Sequence, residues 1–469
     1  MREYNSCMAN GFTAKKYYIA GVAVLGLVCH TFGLEYLYFT AAALLAVYVA
    51  LTDGNGLRLL PPALAGMTVP SRINNNYYGD RLFFSGSAGG AAYLCVLGTV
   101  TAAALAVIVV RSVRKNGFSA KRYKLLPGLI ALTAAITAGG LFFSGYNALS
   151  FFIALYYLAV ILGLYLFLAV TIEWDAKSFG YICDTAVAVV AVIAAQVGIL
   201  YATNASLRAG FDKNLIVFGW TISNCAAILI AVYLPLVLYR MITAKQPLTY
   251  FVIALAGVVA VVYTLCRSAA LIALPMYLAV SAYALVKGRN AKTLRIAYII
   301  AAVIGAAALI LLRGQIADSL RFFSETGLND RGRFSLYRLA LQNWRRAPVF
   351  GTGFGYMRDK SVSGFGWLLY HNYILQLLAS TGIAGLIAYG YHRLQTVKLL
   401  IKNFNLINVF IFLSIIMFMA ASLLDVILFS PFTAIYPLML IALERNIKYK
   451  EQLNDSTAKN IIPNSSRGG

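Results

Sequence analysis

Along almost the whole chain, apolar runs of about twenty residues alternate with short polar connections. The runs fall at about 17–33, 35–52, 90–110, 125–143, 149–171, 181–202, 214–239, 249–265, 268–286, 296–313, 372–391, 406–423 and 426–443. Each is long enough, at about 1.5 Å rise per residue, to cross a hydrocarbon core of about 30 Å as a helix. The pattern predicts an all-α integral membrane protein with about 12–13 transmembrane helices. One further apolar segment, LRLLPPALAGM (57–67), is too short for that rule and is a candidate to dip into the membrane. A long polar interruption then sets a domain plan: an N-terminal transmembrane bundle over 1–313, a loop over 314–370, C-terminal helices over 371–444, and a short polar tail over 445–469 expected to be disordered.

Lysine and arginine in short loops mark the cytoplasmic side of such a bundle. The basic connections are RSVRKNGFSAKRYK (111–124), YRMITAKQ (239–246), KGRNAKTLR (287–295) and HRLQTVKLLIKN (392–403), and all fall on one side. The tail with Arg445, Lys448 and Lys450 joins them, which leaves 53–89, 203–213 and 314–370 outside. Counting back from there puts the N-terminus outside as well, although Arg2, Lys15 and Lys16 favour the inside. One crossing near the start is therefore miscounted, either in the pair 17–52 or at 57–67.

Composition agrees with a membrane protein: 469 residues, 61% hydrophobic, 12% charged and a mean hydropathy of +0.77. Soluble domains carry about 25% charged residues. In a soluble protein the net charge of +23 would point to nucleic acid. Here most of it lies on loops that face anionic lipid, so membrane lipids rather than nucleic acid are the expected partners. The loop 314–370 departs from this pattern. It holds Arg321, Arg331, Arg333, Arg338, Arg345, Arg346, Arg358 and Lys360 against Asp318, Glu325, Asp330 and Asp359, a net +4 on the side where topology calls for no excess.

Several chemistries find no residues to support them. Cys7, Cys29, Cys95, Cys183, Cys225 and Cys266 are scattered, mostly in spans and without a CxxC pair, and read as small hydrophobes. The three histidines, His30, His371 and His392, form no HExxH, so no metal and no cofactor is expected. The N-terminal apolar run lacks a small-residue cleavage site and reads as an uncleaved anchor. GTGFG (351–355) lacks the Lys-Ser/Thr and following helix of a phosphate loop and reads as a turn.

Within the polar loop, SLYRLALQNWRRAP (335–348) spaces Leu336, Leu339, Leu341 and Trp344 near helical periodicity and places Arg338, Arg345 and Arg346 on other faces. This predicts an amphipathic helix in the membrane interface, ended by Pro348. From Arg313 to Lys360, arginine outnumbers lysine eight to one, a choice suited to bidentate contact with phosphate. His371 follows at the start of a span, where a titratable imidazole is costly unless it has a partner or a task. Asn372 stands beside it, and Gly382 and Gly385 on one helix face would let a neighbouring helix pack closely and fix its rotation. Arg267, in YTLCRSAALIA, is an intramembrane arginine that either snorkels or meets an anion. Arg267, the loop arginines and His371 share the outer side, which suggests an anionic ligand there.

GRFSLYRLALQNWRRAPVFGTGFGYM followed by HNYILQLLASTGIAG resembles the C-terminal core of the O-antigen ligase and O-antigen polymerase superfamily. The ligase pattern of His, a small polar residue, nine residues, Gly, two residues and Gly is met at His371, Asn372, Gly382 and Gly385. The resemblance is specific over about 330–390 and extends more loosely to Arg267 and Ser268. It implies a polytopic, GT-C-like, inverting and metal-independent glycosyltransferase in the bacterial cytoplasmic membrane. Such an enzyme takes a glycan from a polyprenyl-diphosphate donor on the extracytoplasmic face and passes it to a glycan or lipid-glycan acceptor in surface polysaccharide synthesis. By the same resemblance Arg267 and Arg333 bind the diphosphate, with Arg331 able to share that role, Asp330 orienting either one, and His371 lies beside the acceptor. Asn372, Gly382 and Gly385 support the site, and Asp425 is a spare carboxylate near the outer end of a late span. Polymerase is preferred slightly over ligase. A lipid-linked glycan flippase or other transporter, and a non-catalytic scaffold, are the alternatives. Transporters tend towards repeated halves, broken helices and polar groups near the midplane.

Overall fold

Two short helices packed as a hairpin open the described chain, α1 (Lys16–Phe32) and α2 (Glu35–Leu51), joined at Gly33 with a φ of 68°. The computed structural model describes residues 13, 16–52, 54–69, 88–143, 148–210, 216–218, 221–311, 313–314, 333–354, 370–402, 404–424 and 435–447. After the hairpin come α3 (Leu60–Gly66), α4 (Ala88–Asn116), α5 (Leu126–Ala138), α6 (Ala148–Tyr156), a π-helical stretch (Tyr157–Gly163) and α7 (Leu164–Thr171). They are followed by α8 (Ser178–Thr203), α9 (Ala205–Gly210), α10 (Ser223–Thr243), α11 (Leu248–Tyr263), α12 (Arg267–Lys287) and α13 (Ala291–Leu311). The last elements are α14 (Arg333–Arg346), α15 (Tyr373–Lys402), α16 (Leu406–Leu424) and a helix over 435–447, α17. A two-residue antiparallel ladder, Val217–Phe218 against Thr221–Ile222, precedes α10. Among the described residues seven helices are long and apolar enough to cross a membrane, and α1, α2, α5 and α11 are shorter apolar helices. The protein is an all-α polytopic membrane protein, as the hydropathy pattern predicts.

The core is built on α10, which is buried along nearly its whole length and packs against α8, α11, α12 and α16. One polar cluster ties its basic end together. Arg240 donates from Nε and Nη2 to the two oxygens of Asp184, each at 2.7 Å, and Lys16 Nζ lies 3.8 Å from the same carboxylate. Lys16 also donates to the Tyr250 hydroxyl at 3.3 Å. Here a carboxylate on α8 meets cations on α1 and α10, so the start of α1 shares an end with the basic connection 239–246. The count that put the N-terminus at the opposite end is thereby corrected.

The missing crossing is the segment 57–67. Tyr18, near the start of α1, donates to the Arg58 carbonyl at 3.0 Å. Twelve residues further on, His30 Nδ1 lies 3.0 Å from the Val69 carbonyl near the other end of α1, and Gln196 donates to the Thr68 carbonyl at 2.8 Å. Residues 58–69 therefore run from the basic end to the opposite end, which we call the loop end. Leu57, Leu60, Leu64, Ala65 and Val69 are buried against α1, α2 and α8. A segment walled in by protein can cross with fewer apolar residues than one facing lipid, because its neighbours satisfy its backbone. Tyr38 does this directly, donating to the Pro62 carbonyl at 2.8 Å.

α5 and α15 form the closest helix pair around the candidate site. The small residues that permit this approach are on α5. A Cβ added at Gly128 would fall 2.8 Å from the His392 Cα, and one at Gly139 would fall 2.8 Å from the Ser380 carbonyl oxygen. Gly382 and Gly385 act differently from the helix-packing face expected of them. Gly382 has φ 67° and ψ −160° and breaks α15, while Gly385 leaves room for the Thr381 side chain of its own helix, with a Cβ there lying 2.6 Å from Thr381 Cβ. The rings of Tyr373 and Tyr389 are 5.3 Å apart. In a straight helix sixteen residues would separate them by about 24 Å. The break thus folds the short first limb, 373–381, back toward the long second limb, 383–402.

Candidate functional site

The break in α15 leaves backbone groups that a following turn of helix would have used, and a strap over 347–354 takes them. Thr352 and Gly353 donate their N–H groups to the carbonyls of Ala379 and Ser380 at 2.9 and 3.1 Å, and the Thr352 hydroxyl adds a bond to Ala379 at 3.1 Å. In return Ile383 and Ala384 donate to the carbonyls of Pro348 and Val349 at 2.9 and 3.0 Å. The orphan groups of both new helix ends are so satisfied from outside the helix. This is the role of GTGFG: a turn, as expected, whose glycines allow backbone to approach backbone. Gly351, with φ 72°, and Gly382 show the same constraint, since a Cβ at either would fall 2.2–2.3 Å from the backbone of the other segment. Gly140 closes the far side by donating to the Phe350 carbonyl at 3.3 Å, and Ser150 donates to the Phe354 carbonyl at 3.3 Å.

α14 packs on the first limb of α15. Its buried positions are Leu336, Ala340 and Asn343, spaced by four and three residues, with Leu339 partly buried beside them. This corrects the expected apolar face: Leu341 points outward at 38% exposure, and the polar Asn343 is fully buried. The physical reason is a buried polar chain. Asn343 Nδ2 donates to the Tyr370 hydroxyl at 2.6 Å, Tyr370 N–H donates to Gln376 Oε1 at 3.1 Å, and Gln376 Nε2 donates to the Ser380 hydroxyl at 2.9 Å. Burial pushes the Tyr370 phenol up, against a lowering by the Asn343 bond, so the phenol stays protonated. Asn343, Tyr370, Gln376 and Ser380 were not singled out from the sequence; the polar positions at helical spacing in QLLAS, Gln376 and Ser380, were the available signal.

His371 sits where this chain of bonds meets the start of α15. Its φ is 49°, in the left-handed region that non-glycine residues seldom occupy. Two contacts hold that turn. Asn372 caps the helix by accepting from Leu375 N–H at 3.0 Å and donates from Nδ2 to the Leu423 carbonyl of α16 at 3.0 Å. On the other side the Tyr337 hydroxyl of α14 lies 3.5 Å from the His371 carbonyl. Backbone strain held by surrounding contacts is a recurrent mark of working sites.

Arg333 is the first described residue of α14, one turn before Tyr337, whose hydroxyl reaches toward the His371 carbonyl. Arg267 is the first residue of α12, which runs from the loop end to Lys287, and follows Leu265, a second non-glycine residue with a positive φ of 56°. It shares the loop end with the other two but comes from a different part of the bundle. Arg267 stands at a helix start, where the dipole favours negative charge. Arg331, Asp330 and Asp425 lie outside the described residues. Among the described residues no group of three His, Cys, Asp or Glu side chains gathers in one place.

The family model for O-antigen ligase (Wzy_C) matches residues 250–390. Residues 250–390 are thus similar to an O-antigen ligase domain. The domain runs from α11 into the second limb of α15 and contains Arg267, Arg331, Arg333, His371, Asn372, Gly382 and Gly385. This supports a place in the O-antigen ligase/polymerase superfamily, whose members are membrane glycosyltransferases of polysaccharide biosynthesis acting on lipid-linked glycans. A comparison with curated proteins finds no match.

Proposed function

We propose that the O-antigen ligase domain transfers or polymerises polyprenyl-diphosphate-linked glycan repeats at the extracytoplasmic face of the cytoplasmic membrane, by an inverting and metal-independent displacement. The basic connections favour a cytoplasmic location for the end with Arg240 and Lys16, which supports an outer location for the loop end and its arginines. The observation that carries the reading is the corner where α14, headed by Arg333, meets the strained and doubly held turn of His371.

In this reading Arg267 and Arg333, with Arg331, bind the diphosphate and His371 receives the acceptor proton. The acceptor oxygen forms a bond to the anomeric carbon as the bond from that carbon to the diphosphate oxygen breaks. The electron pair leaves with the diphosphate, whose growing charge the guanidinium groups neutralise. The hydroxyl proton moves to the imidazole and from there to solvent. A held imidazole orientation matters because proton transfer needs hydrogen-bond reach. The Asn372 cap and the Tyr337 contact support such an orientation. The domain plan follows: residues 314–370 supply the catalytic loop between two sets of helices.

The test is transfer from a synthetic polyprenyl-diphosphate glycan by purified full-length protein in detergent containing EDTA. Transfer that persists in EDTA and is lost in His371→Ala, with melting unchanged, is the expected result. Full activity in His371→Ala would remove the histidine from the mechanism. Loss in EDTA restored by a divalent ion would overturn metal independence. Movement of the labelled lipid between leaflets without a new glycosidic bond would make the protein a flippase. The order polymerase before ligase is tested by offering a second lipid-linked repeat and a lipid-glycan acceptor in the same assay.

A further inference from the structure

A cavity of about 1060 Å³ lies between α1, α8 and α11 at the basic end of the bundle, far from the strap and His371. Its rim is polar: Lys16, Asp184, Arg240, Lys245, Gln246 and Tyr250. Its walls are small and apolar, with Ala20 and Ala23 on α1 facing Ala188, Ala191 and Ala195 on α8. The alanines leave a furrow that larger side chains would have closed.

The depth of this furrow fits one half of a bilayer. On α1 the lining runs from Lys16 to Leu27, and on α8 from Asp184 to Ala195. Each stretch of twelve residues spans eleven rises of about 1.5 Å, about 16 Å, against about 15 Å for half of a 30 Å hydrocarbon core. The rim charge then selects the head group. Arg240 is committed to Asp184 in a two-bond pair, and that pair is neutral. Lys16 and Lys245 remain in excess, with the Lys16 side chain 71% exposed and Lys245 exposed. A head group with negative charge at the level of the ion pair, joined to a chain one leaflet long, complements both features.

We propose that this cavity is a binding site for an anionic glycerophospholipid of the leaflet at the basic end, with its phosphate between Lys16 and Lys245 and one acyl chain in the alanine furrow. A lipid so placed would join α1 to α8 and α11, where the ion cluster already gathers. Beyond Ala195 a second apolar cavity of about 550 Å³ continues between α8 and α11 toward Tyr201 and Tyr263. The two cavities share Ala191, Ala195 and Ile253, and a polyprenyl chain, longer than one leaflet, would extend through both, whereas an acyl chain one leaflet long is accommodated by the first.

The experiment is native mass spectrometry and thermal melting of the full-length protein, delipidated and then given phosphatidylglycerol, phosphatidylcholine or polyprenyl monophosphate at equal concentration. Retained phosphatidylglycerol with a raised melting temperature, and little phosphatidylcholine, is the expected outcome. The double variant Lys16→Ala/Lys245→Ala is expected to lose about 30-fold in phosphatidylglycerol affinity, roughly 5-fold for each lysine. Ala188→Trp keeps the charges and fills the furrow, and is expected to abolish retention while melting like the wild type without lipid. Equal retention of phosphatidylcholine, or undiminished phosphatidylglycerol binding in the double lysine variant, would overturn charge recognition. Preference for polyprenyl monophosphate would overturn the choice of occupant.

Discussion

Arg240 gives two hydrogen bonds to Asp184, and Arg393 lies over the rings of Tyr389 and Tyr436 at 4.6 and 4.9 Å, whereas Arg267 and Arg333 each open a helix at the loop end. The first two arginines are answered by groups of the fold: a carboxylate in one case, and aromatic faces with the Tyr436 hydroxyl at 2.6 Å in the other. The second two stand where the helix dipole is positive and opposes a cation. Arginine in this chain therefore occupies two kinds of place, and position on the helix distinguishes them. Arg240 and Arg393 hold helices together. Arg267 and Arg333 stand at helix starts of the loop end, and the proposed function matches them to an anion.

The comparison breaks first at His371 and Arg333. His371→Ala and Arg333→Ala are each expected to lower transfer by about 10²–10⁴-fold with little change in melting, as read by rate per folded molecule. Arg333→Lys sharpens the point, since it keeps the charge but not the two-pronged geometry, and is expected to recover only a minor part of the rate. Next comes Gly382→Ala, which forces a Cβ to within 2.3 Å of the Val349 carbonyl oxygen at a φ of 67°. It is expected to destabilise the fold by about 3 kcal/mol, seen as a lower melting temperature together with lost transfer. Arg393→Leu removes a matched cation and is expected to cost about 1–2 kcal/mol of stability while the folded fraction keeps its rate. A rate loss there exceeding that of Arg333→Ala would reverse the division of labour. The smallest effect belongs to Asn372→Ala, where loss of the cap costs about 1 kcal/mol and frees the His371 turn, so the rate falls more than the melting temperature.

Much of the architecture was legible because lipid imposes a length on every exposed crossing. The runs at 181–202, 268–286 and 406–423 reappear within α8, α12 and α16, whereas α10 takes up the run 214–239 from Ser223 onward, with the ladder Val217–Phe218 and Thr221–Ile222 ahead of it. The segment 57–67 escaped the same rule because its crossing is buried in protein, where two prolines and seven helical residues suffice. At the candidate site, the residues of the ligase pattern fall inside the matched region, and α14, which contains Arg333, reaches toward His371 through Tyr337. Asn343 was illegible because a buried polar residue on an amphipathic helix reads as surface until its partner, Tyr370, is seen. The glycines illustrate a further limit. Gly382 looks like a helix-packing residue within its own span, and only the strap, some thirty residues earlier in the chain, turns it into a break.

The strap has a consequence for how such a chain could diversify. Its bonds fix the register of 348–353 against 379–384 residue by residue, so a single insertion there would misalign every pair. A change in chain length that keeps the His371 limb at its angle therefore has to fall outside 348–353 and 379–384.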